Sequence, residues 1–182
     1  MRAGSLSWSA ESSQRLDRAF FARPTVEVAV ALLGCVLTTR IRDGETSGRI
    51  VEVEAYGDAS DPASHAARLR RGRVESMSGP PGIVYVYRSY GIHPMLNVVA
   101  EPDGIAGAVL IRALEPLAGQ ELMRRRRGVE ETGRLCCGPG CLTVAMGITL
   151  DDHGRDIVSE PGMSIELGMR PKAVSAGPRI GI

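Results

Sequence analysis

Two strand-like runs separated by a long polar loop constrain the fold of this chain more than any other feature. Residues 50–56 alternate acidic with apolar side chains, and residues 83–87 read Ile-Val-Tyr-Val-Tyr. Because successive side chains of a strand point to opposite faces, both runs predict strands. Residues 57–82 between them have too little periodicity for a regular element. Loops of that length in compact domains are usually functional or disordered.

Shorter patterns on either side predict an antiparallel meander with helices. Three further strands are predicted, over residues 35–42, 93–100 and 107–113. Asp43-Gly44 forms the turn into the strand that ends at Tyr56. Three helices are predicted, one with Thr25 as its N-cap and two over residues 117–127 and 139–146. Residues 148–167 are expected to form two short strands joined by polar turns.

Length and composition place these elements in one domain of mixed α/β (α+β) class. The chain has 182 residues, of which 43% are hydrophobic and 24% charged, as in ordinary globular proteins. We expect the domain to span residues 16–182, with residues 1–15 disordered. No apolar run approaches the roughly 20 residues of a membrane helix, and the N-terminus lacks a signal-peptide pattern, so a cytoplasmic location is expected.

Basic side chains are clustered although the net charge is only +1. One cluster lies in the long loop, at Arg68, Arg70, Arg71 and Arg73, and a second run covers residues 124–127. Such clusters contact phosphates in some proteins and form a solvated surface in others. The sequence leaves both readings open.

The cysteines do not predict a metal site. Three of the four form the group Cys-Cys-x3-Cys at residues 136–141, and Cys35 stands apart. Structural zinc sites use paired Cys-x2-Cys spacings and a second cluster, which this group lacks. We therefore expect reduced, partly buried thiols, and neither a metal nor another cofactor.

Glu54 is the first candidate for chemistry. A carboxylate near the end of a strand, followed by a loop of functional character, suits a general base that activates water. The alternative is an exposed carboxylate that pairs with an arginine of the loop, and spacing alone does not decide between the two. Glu52 shares the strand face, but two carboxylates at this spacing do not establish an acid/base pair.

All tyrosines of the chain fall within residues 50–97, at Tyr56, Tyr85, Tyr87 and Tyr90. Stacking of a nucleic-acid base explains such a cluster, and cross-strand packing is the alternative. Tyr90 fits packing least, because it lies in a predicted turn. His65 in the loop and Asn97 and Arg112 in the strands are polar residues directed to the same region, where a ligand would be one possible partner.

The order of these motifs resembles the alkyladenine (3-methyladenine) DNA glycosylase family, the methylpurine type that is distinct from helix-hairpin-helix glycosylases. The motifs are Glu-Val-Glu-Ala-Tyr at 52–56, His65, Gly-Ile-Val-Tyr-Val-Tyr-Arg-Ser-Tyr-Gly at 82–91, Asn97 and Arg-Ala-Leu-Glu-Pro-Leu at 112–117. The resemblance extends from about residue 20 to residue 182. It implies a single domain around a curved antiparallel sheet with flanking helices.

The resemblance also implies a monofunctional, monomeric enzyme that needs no cofactor or metal. Such an enzyme flips a damaged purine out of double-stranded DNA and hydrolyses its N-glycosidic bond. By position, Glu54 would activate the attacking water and Arg112 would help to hold it. The loop arginines would contact the DNA backbone.

The remaining candidates have implied roles around the flipped base. Tyr56, His65 and Tyr87 would enclose it, and Tyr90 would insert into the gap left in the duplex. Asn97 would exclude guanine through a clash with its 2-amino group.

Two alternatives stay open. Relatives continue beyond Gly-Pro-Arg-Ile-Gly-Ile, so we expect this chain to be truncated at its C-terminus, and a base-flipping, lesion-binding module with impaired hydrolysis is the second reading. A glycosidase acting on free nucleosides is the third, although the arginine clusters and Tyr90 argue against it. Cys141 also stands where a lysine is expected after Gly-Pro-Gly.

Overall fold

The computed structural model describes residues 14–69 and 71–180, which form a curved antiparallel sheet with helices packed on it. The six strands are β1 (Val36–Ile41), β2 (Gly44–Tyr56), β3 (Val84–Ser89), β4 (His93–Val99), β5 (Ala108–Ala118) and β6 (Met163–Glu166). Their order is β3-β4-β5-β2-β1-β6, and every neighbouring pair is antiparallel. The predicted α+β class is confirmed.

The central strand β2 is also the most irregular one. It has 13 residues and pairs with β1 on one side and β5 on the other. Its register against β5 shifts between Ile50 and Val53. A bulge of this kind bends the strand and increases its twist. The sheet is therefore bent just before the position of Glu54.

Five α-helices lie within the described residues: α1 (Arg18–Phe21), α2 (Thr25–Leu32), α3 (His65–Arg68), α4 (Gln120–Arg127) and α5 (Pro139–Met146). α2 begins at Thr25, but Thr25 does not cap it. Glu101 provides the cap, because its Oε1 accepts from the backbone amide and the hydroxyl of Thr25 at 2.6 and 2.8 Å. α5 begins with proline and ends before Gly147 in the left-handed conformation.

Two groups of buried side chains pack on β3. The main core includes Leu32 of α2, Met146 of α5 and Val86 of β3, all fully buried. Tyr85 belongs instead to a smaller cluster with residues of the 3₁₀ helix Gly72–Ser78. Because side chains alternate across a strand, β3 directs its valines to the main core and its tyrosines to the other face.

Two predicted boundaries were wrong. The loop over residues 57–82 is not irregular throughout, since it contains α3 and the 3₁₀ helix Gly72–Ser78. The helix predicted from residue 117 begins at Gln120, because β5 continues to Ala118. Ser47 and Gly48 of the long strand β2 pair with this extension. Strand pairing outweighs the helix propensity of residues 117 and 118, with which the predicted helix began.

Residues 148–167 also differ from the prediction. They contain a 3₁₀ helix, Leu150–Asp152, and the single strand β6 instead of two strands. The segment between them borders β3, where the Val84 amide donates to the Arg155 carbonyl at 2.8 Å and the Gly154 amide donates to the Val84 carbonyl at 2.8 Å. These isolated bonds hold the loop on the sheet edge without forming a ladder.

The ends of the chain are described in part. The segment predicted to be disordered, residues 1–15, lies outside the described residues except for its last two. Of these two residues, Arg15 forms an isolated antiparallel β-bridge with Glu166, and its side chain donates to the Ile157 carbonyl. Residues 168–180 have no regular secondary structure and return to the end of β2. No helix among the described residues is long and apolar enough to cross a membrane.

Candidate active site

One cavity of about 640 Å³ brings together the seven side chains predicted for catalysis, base binding and intercalation. They are Glu54, Tyr56, His65, Tyr87, Tyr90, Asn97 and Arg112. They come from four strands, from α3 and from the turn between β3 and β4. An aromatic-lined cavity with a few convergent polar groups is the usual form of a ligand-binding site.

Glu54 lies buried in the wall of this cavity, with 6% of its surface exposed. Its Oε2 accepts from the Tyr56 hydroxyl at 2.9 Å, and its Oε1 accepts from the Ile180 amide at 2.7 Å. Arg112 Nη1 lies 3.3 Å from the same Oε1. A buried carboxylate is tolerated when donors compensate its charge, and lone pairs remain to accept a proton from water. The exposed carboxylate paired with a loop arginine is therefore the wrong reading.

Arg112 connects two carboxylates in different surroundings. Its Nε donates to Glu52 Oε1 at 2.9 Å, while Nη1 faces Glu54. The Glu52 side chain is 46% exposed, whereas that of Glu54 is almost inaccessible. A buried base beside a guanidinium can hold and activate one water molecule, and the exposed carboxylate orients the guanidinium.

His65 and Tyr87 form one side of the cavity. Their ring centres are 4.4 Å apart, with planes inclined at 73°. His65 Nδ1 lies 2.8 Å from the Tyr85 hydroxyl, and burial lowers the pKa of His65, which favours the neutral ring at pH 7. Burial also raises the pKa of Tyr85, so its phenol stays protonated. When this hydroxyl is the donor to Nδ1, the proton of His65 is on Nε2. Tyr85 thus packs in the smaller buried cluster and also orients the His65 ring.

Asn97 lies at 3% exposure in β4. Its amide nitrogen donates to the carbonyl oxygens of Tyr85 and Met95, at 3.1 and 3.2 Å. These two bonds identify the nitrogen of the side-chain amide and prevent its rotation. Asn97 therefore presents a fixed obstacle to any group that enters this part of the cavity.

Tyr90, in contrast to the buried Asn97, is almost fully exposed. It is 90% exposed at the tip of the turn between β3 and β4, and its φ is 49°. A non-glycine residue in the left-handed region costs about 1 kcal/mol, and such strain is concentrated at functional sites. An exposed aromatic ring on a strained turn is poorly explained by packing.

Arginines surround the mouth of the cavity. Arg68, Arg71 and Arg73 of the predicted backbone-contact cluster line it, and Arg70 lies outside the described residues. Arg68 and Arg73 also donate to carbonyl oxygens of the chain. Arg88, near the end of β3, lines the cavity as well. The side chains of Arg71 and Arg88 make no hydrogen bond or ion pair with another described residue, so both are available to an anion.

Sequence reasoning missed the contribution of the C-terminal segment. Arg179 forms a two-point ion pair with Asp61, and its Nη1 donates to the Ala55 carbonyl at 2.9 Å. Ile180 lines the cavity and binds Glu54 through its amide. Arg179 and Asp61 are 118 residues apart, and no periodic pattern marks either one.

Three of the four arginines in the second run have partners within the chain. Arg124, Arg126 and Arg127 each donate to a backbone carbonyl oxygen, at 2.8–3.1 Å. These three side chains therefore hold α4 in the fold. Of the cysteines, Cys35 and Cys136 are buried and none forms a disulfide among the described residues. No group of three or more potential metal ligands occurs in that part of the chain.

Comparison with known proteins identifies a consistent set of relatives. Residues 19–182 match the family model described as methylpurine-DNA glycosylase. The chain is 50% identical over 167 residues to a Rhodopseudomonas palustris protein, covering 92% of this chain and 78% of that protein. It is 46% identical over 164 residues to a Bacillus subtilis protein, covering 90% and 83%. Both relatives are named "Putative 3-methyladenine DNA glycosylase".

Proposed function

Because this chain belongs to the methylpurine-DNA glycosylase family, we propose that it releases alkylated and deaminated purines from double-stranded DNA. It would hydrolyse the N-glycosidic bond and leave an abasic site. The observation that supports this most directly is the buried Glu54 on an aromatic cavity with arginines around its mouth. A base inside the duplex cannot reach such a carboxylate, so the nucleotide must be flipped.

The exposed surface around the cavity suits the flipping step. Arg71 and Arg88 are free to contact phosphates, which position the duplex without reading its sequence. Tyr90 would stack in the gap that the extruded nucleotide leaves. Extrusion costs a few kcal/mol, least for a damaged base pair, and stacking of the order of 1–3 kcal/mol offsets that cost.

The cavity would hold the flipped base between aromatic rings. Tyr56 would stack on one face, with His65 and Tyr87 on the other side. With the Tyr85 hydroxyl donating to Nδ1, His65 would carry its proton on Nε2 and donate it to the nucleotide. Asn97, fixed by its two bonds to the backbone, would collide with the 2-amino group of guanine. Adenine-derived lesions lack that group and would fit.

Hydrolysis then needs one positioned water molecule. Glu54 would accept a proton from the water while the water oxygen forms a bond to C1′. Arg112 would help to hold that water. The electron pair of the breaking bond moves to the base. A base that is already cationic therefore departs as a neutral molecule, whereas a neutral base such as hypoxanthine departs as an anion and takes a proton from water. The carboxylates also stabilise positive charge that develops on the sugar. Water is the only co-reactant, and we propose a monofunctional, monomeric enzyme.

An abasic-site assay tests this function. Duplexes that carry 3-methyladenine, 1,N6-ethenoadenine or hypoxanthine are incubated with the protein, and strand breakage at abasic sites is measured after alkali. We expect cleavage at one or more lesions and none in undamaged duplex. Tight lesion binding without any release would support a binding module and contradict the enzyme. Release from free nucleosides but not from duplexes would identify a nucleoside glycosidase instead.

A further inference from the structure

An ion pair supports the ring of Tyr56 from behind. Arg179 binds both carboxylate oxygens of Asp61, at nitrogen–oxygen distances of 2.5 and 2.7 Å. Its guanidinium carbon lies 4.8 Å from the centre of the Tyr56 ring. Asp61 is held in addition by two backbone amides, those of Gly57 and Ala63, at 3.0 and 3.1 Å.

The pair lies outside the cavity that Tyr56 lines. Tyr56 and Glu54 both contribute to the cavity wall, whereas Asp61 and Arg179 do not. We therefore place the guanidinium on the ring face that is turned away from the ligand. A base stacked on the open face would be roughly 9 Å from it, given ordinary aromatic stacking distances. Hydrogen bonds from Arg179 hold the pKa of Asp61 well below its usual range, so both charges are present at neutral pH.

The charge of a lesion base makes it sensitive to this arrangement. Purines alkylated at the 3- or 7-position are cations, while ethenoadenine and hypoxanthine are neutral. A cation is attracted to the electron-rich face of an aromatic ring. An uncompensated guanidinium behind that ring would oppose the attraction, whereas the carboxylate of Asp61 cancels its charge at short range.

We propose that the charge balance of the Asp61–Arg179 pair determines how strongly the site prefers cationic over neutral lesion bases. The inference rests on the proposed function, because it takes Tyr56 as the surface on which the flipped base stacks. Neither residue touches the base, and both act through the ring and through space.

Removing the negative charge and removing the positive charge should shift the preference for cationic lesion bases in opposite directions. Asp61→Asn leaves the guanidinium uncompensated and lowers the ratio of cationic to neutral base release. Arg179→Gln leaves the carboxylate uncompensated and raises that ratio. One uncompensated charge lies roughly 9 Å from a cationic base, where the effective dielectric constant is about 20. After solvent screening, we expect the ratio to change by about tenfold in each direction.

The experiment compares one cationic and one neutral lesion in the same duplex. For 3-methyladenine and 1,N6-ethenoadenine, we would measure the single-turnover rate constant and the protein concentration that gives half of that rate. The quotient of the two is compared between the lesions. The variants are Asp61→Asn, Arg179→Gln and the double substitution, which should return the ratio towards that of the wild type. Arg179→Lys keeps the charge and should keep the ratio. Arg40→Gln and Glu45→Gln, at the exposed ion pair near the β1–β2 turn, are matched controls for net charge.

The ratio separates a charge effect from damage to the fold, since a structural defect slows the release of both bases. If the wild type is active and the ratio in both single variants stays within twofold of the wild-type ratio, this inference is overturned and the proposed function is not. The same holds if both variants shift the ratio in one direction, or if every variant loses both activities. A wild type that releases neither base contradicts the proposed function, and the inference falls with it.

Discussion

At the scale of residues, the two carboxylates bound by Arg112 should differ sharply in importance. Glu54→Gln keeps one oxygen acceptor for the Ile180 amide, and its side-chain nitrogen can donate to the Tyr56 hydroxyl, which accepts instead. The base is removed, so we expect release to fall by about 10²- to 10⁴-fold. Lesion binding should change little. Glu52→Gln at the more exposed partner is the control, with a loss below about tenfold. Single-turnover kinetics and equilibrium binding measure both quantities, and rapid release by Glu54→Gln would remove this residue from its role.

Tyr90 offers a test in which stability and binding separate. Tyr90→Gly removes the ring and relieves the left-handed strain at φ 49°, so the free energy of unfolding should stay level or rise by up to about 1 kcal/mol. Affinity for a lesion duplex should fall by about 5- to 100-fold, because base stacking is lost. Denaturant unfolding and fluorescence anisotropy measure the two effects. Unchanged affinity would argue against intercalation, and a large loss of stability would indicate a packing role.

At the scale of elements, two helices end at left-handed glycines in different surroundings. A Cβ atom at Gly147, after α5, would lie 2.5 Å from Cδ1 of Ile41 and 3.1 Å from Cζ of Arg126. At Gly128, after α4, it would meet nothing within 4 Å. Both glycines have positive φ, so alanine costs about 1 kcal/mol at either position. We expect Gly147→Ala to cost about 1 kcal/mol more than Gly128→Ala, at the low end of overpacking costs, because only the ends of the Ile41 and Arg126 side chains must shift.

Denaturant unfolding of both alanine variants measures that difference. Equal losses of stability would contradict the close packing of α5 against β1. The two glycines have the same local role at a helix end, so sequence alone predicts no difference between them.

At the scale of the whole molecule, the position of charge matters more than its sum. Net charge is +1, yet unpartnered arginines lie at the cavity mouth. Replacing both Arg71 and Arg88 with glutamine should make the slope of log affinity against log salt less negative by about 2, since each phosphate contact contributes about −0.9. Arg42→Gln, at the β1–β2 turn at the other end of β2, should leave the slope unchanged.

Titration of a lesion duplex between 50 and 200 mM salt provides these slopes. A double variant with the slope of the wild type would show that DNA does not contact the mouth of the cavity through these side chains. The same measurement then tests whether the exposed arginines act as a group.

Local patterns predicted the strands around the site and the residues they carry. Period-two alternation in β2 and β3 depends only on neighbours along the chain, and it was enough to direct Glu54, Tyr56 and Tyr87 to one region. The turn that exposes Tyr90 was predictable for the same reason. The boundaries of β5 and of the segment before β6 were not, because partner strands override local propensity.

The sequence by itself predicted the fold class from periodicity, and the order of its motifs predicted the seven side chains that meet in the cavity. Only the tertiary structure decided which charges meet. Glu101 caps α2 from 76 residues away, and Asp61 binds Arg179 across 118 residues. It also buried Glu54 and joined it to Arg112 and the Ile180 amide. The physical reason is that hydrogen bonds and ion pairs form between groups brought close by the folded sheet, whatever their separation along the chain.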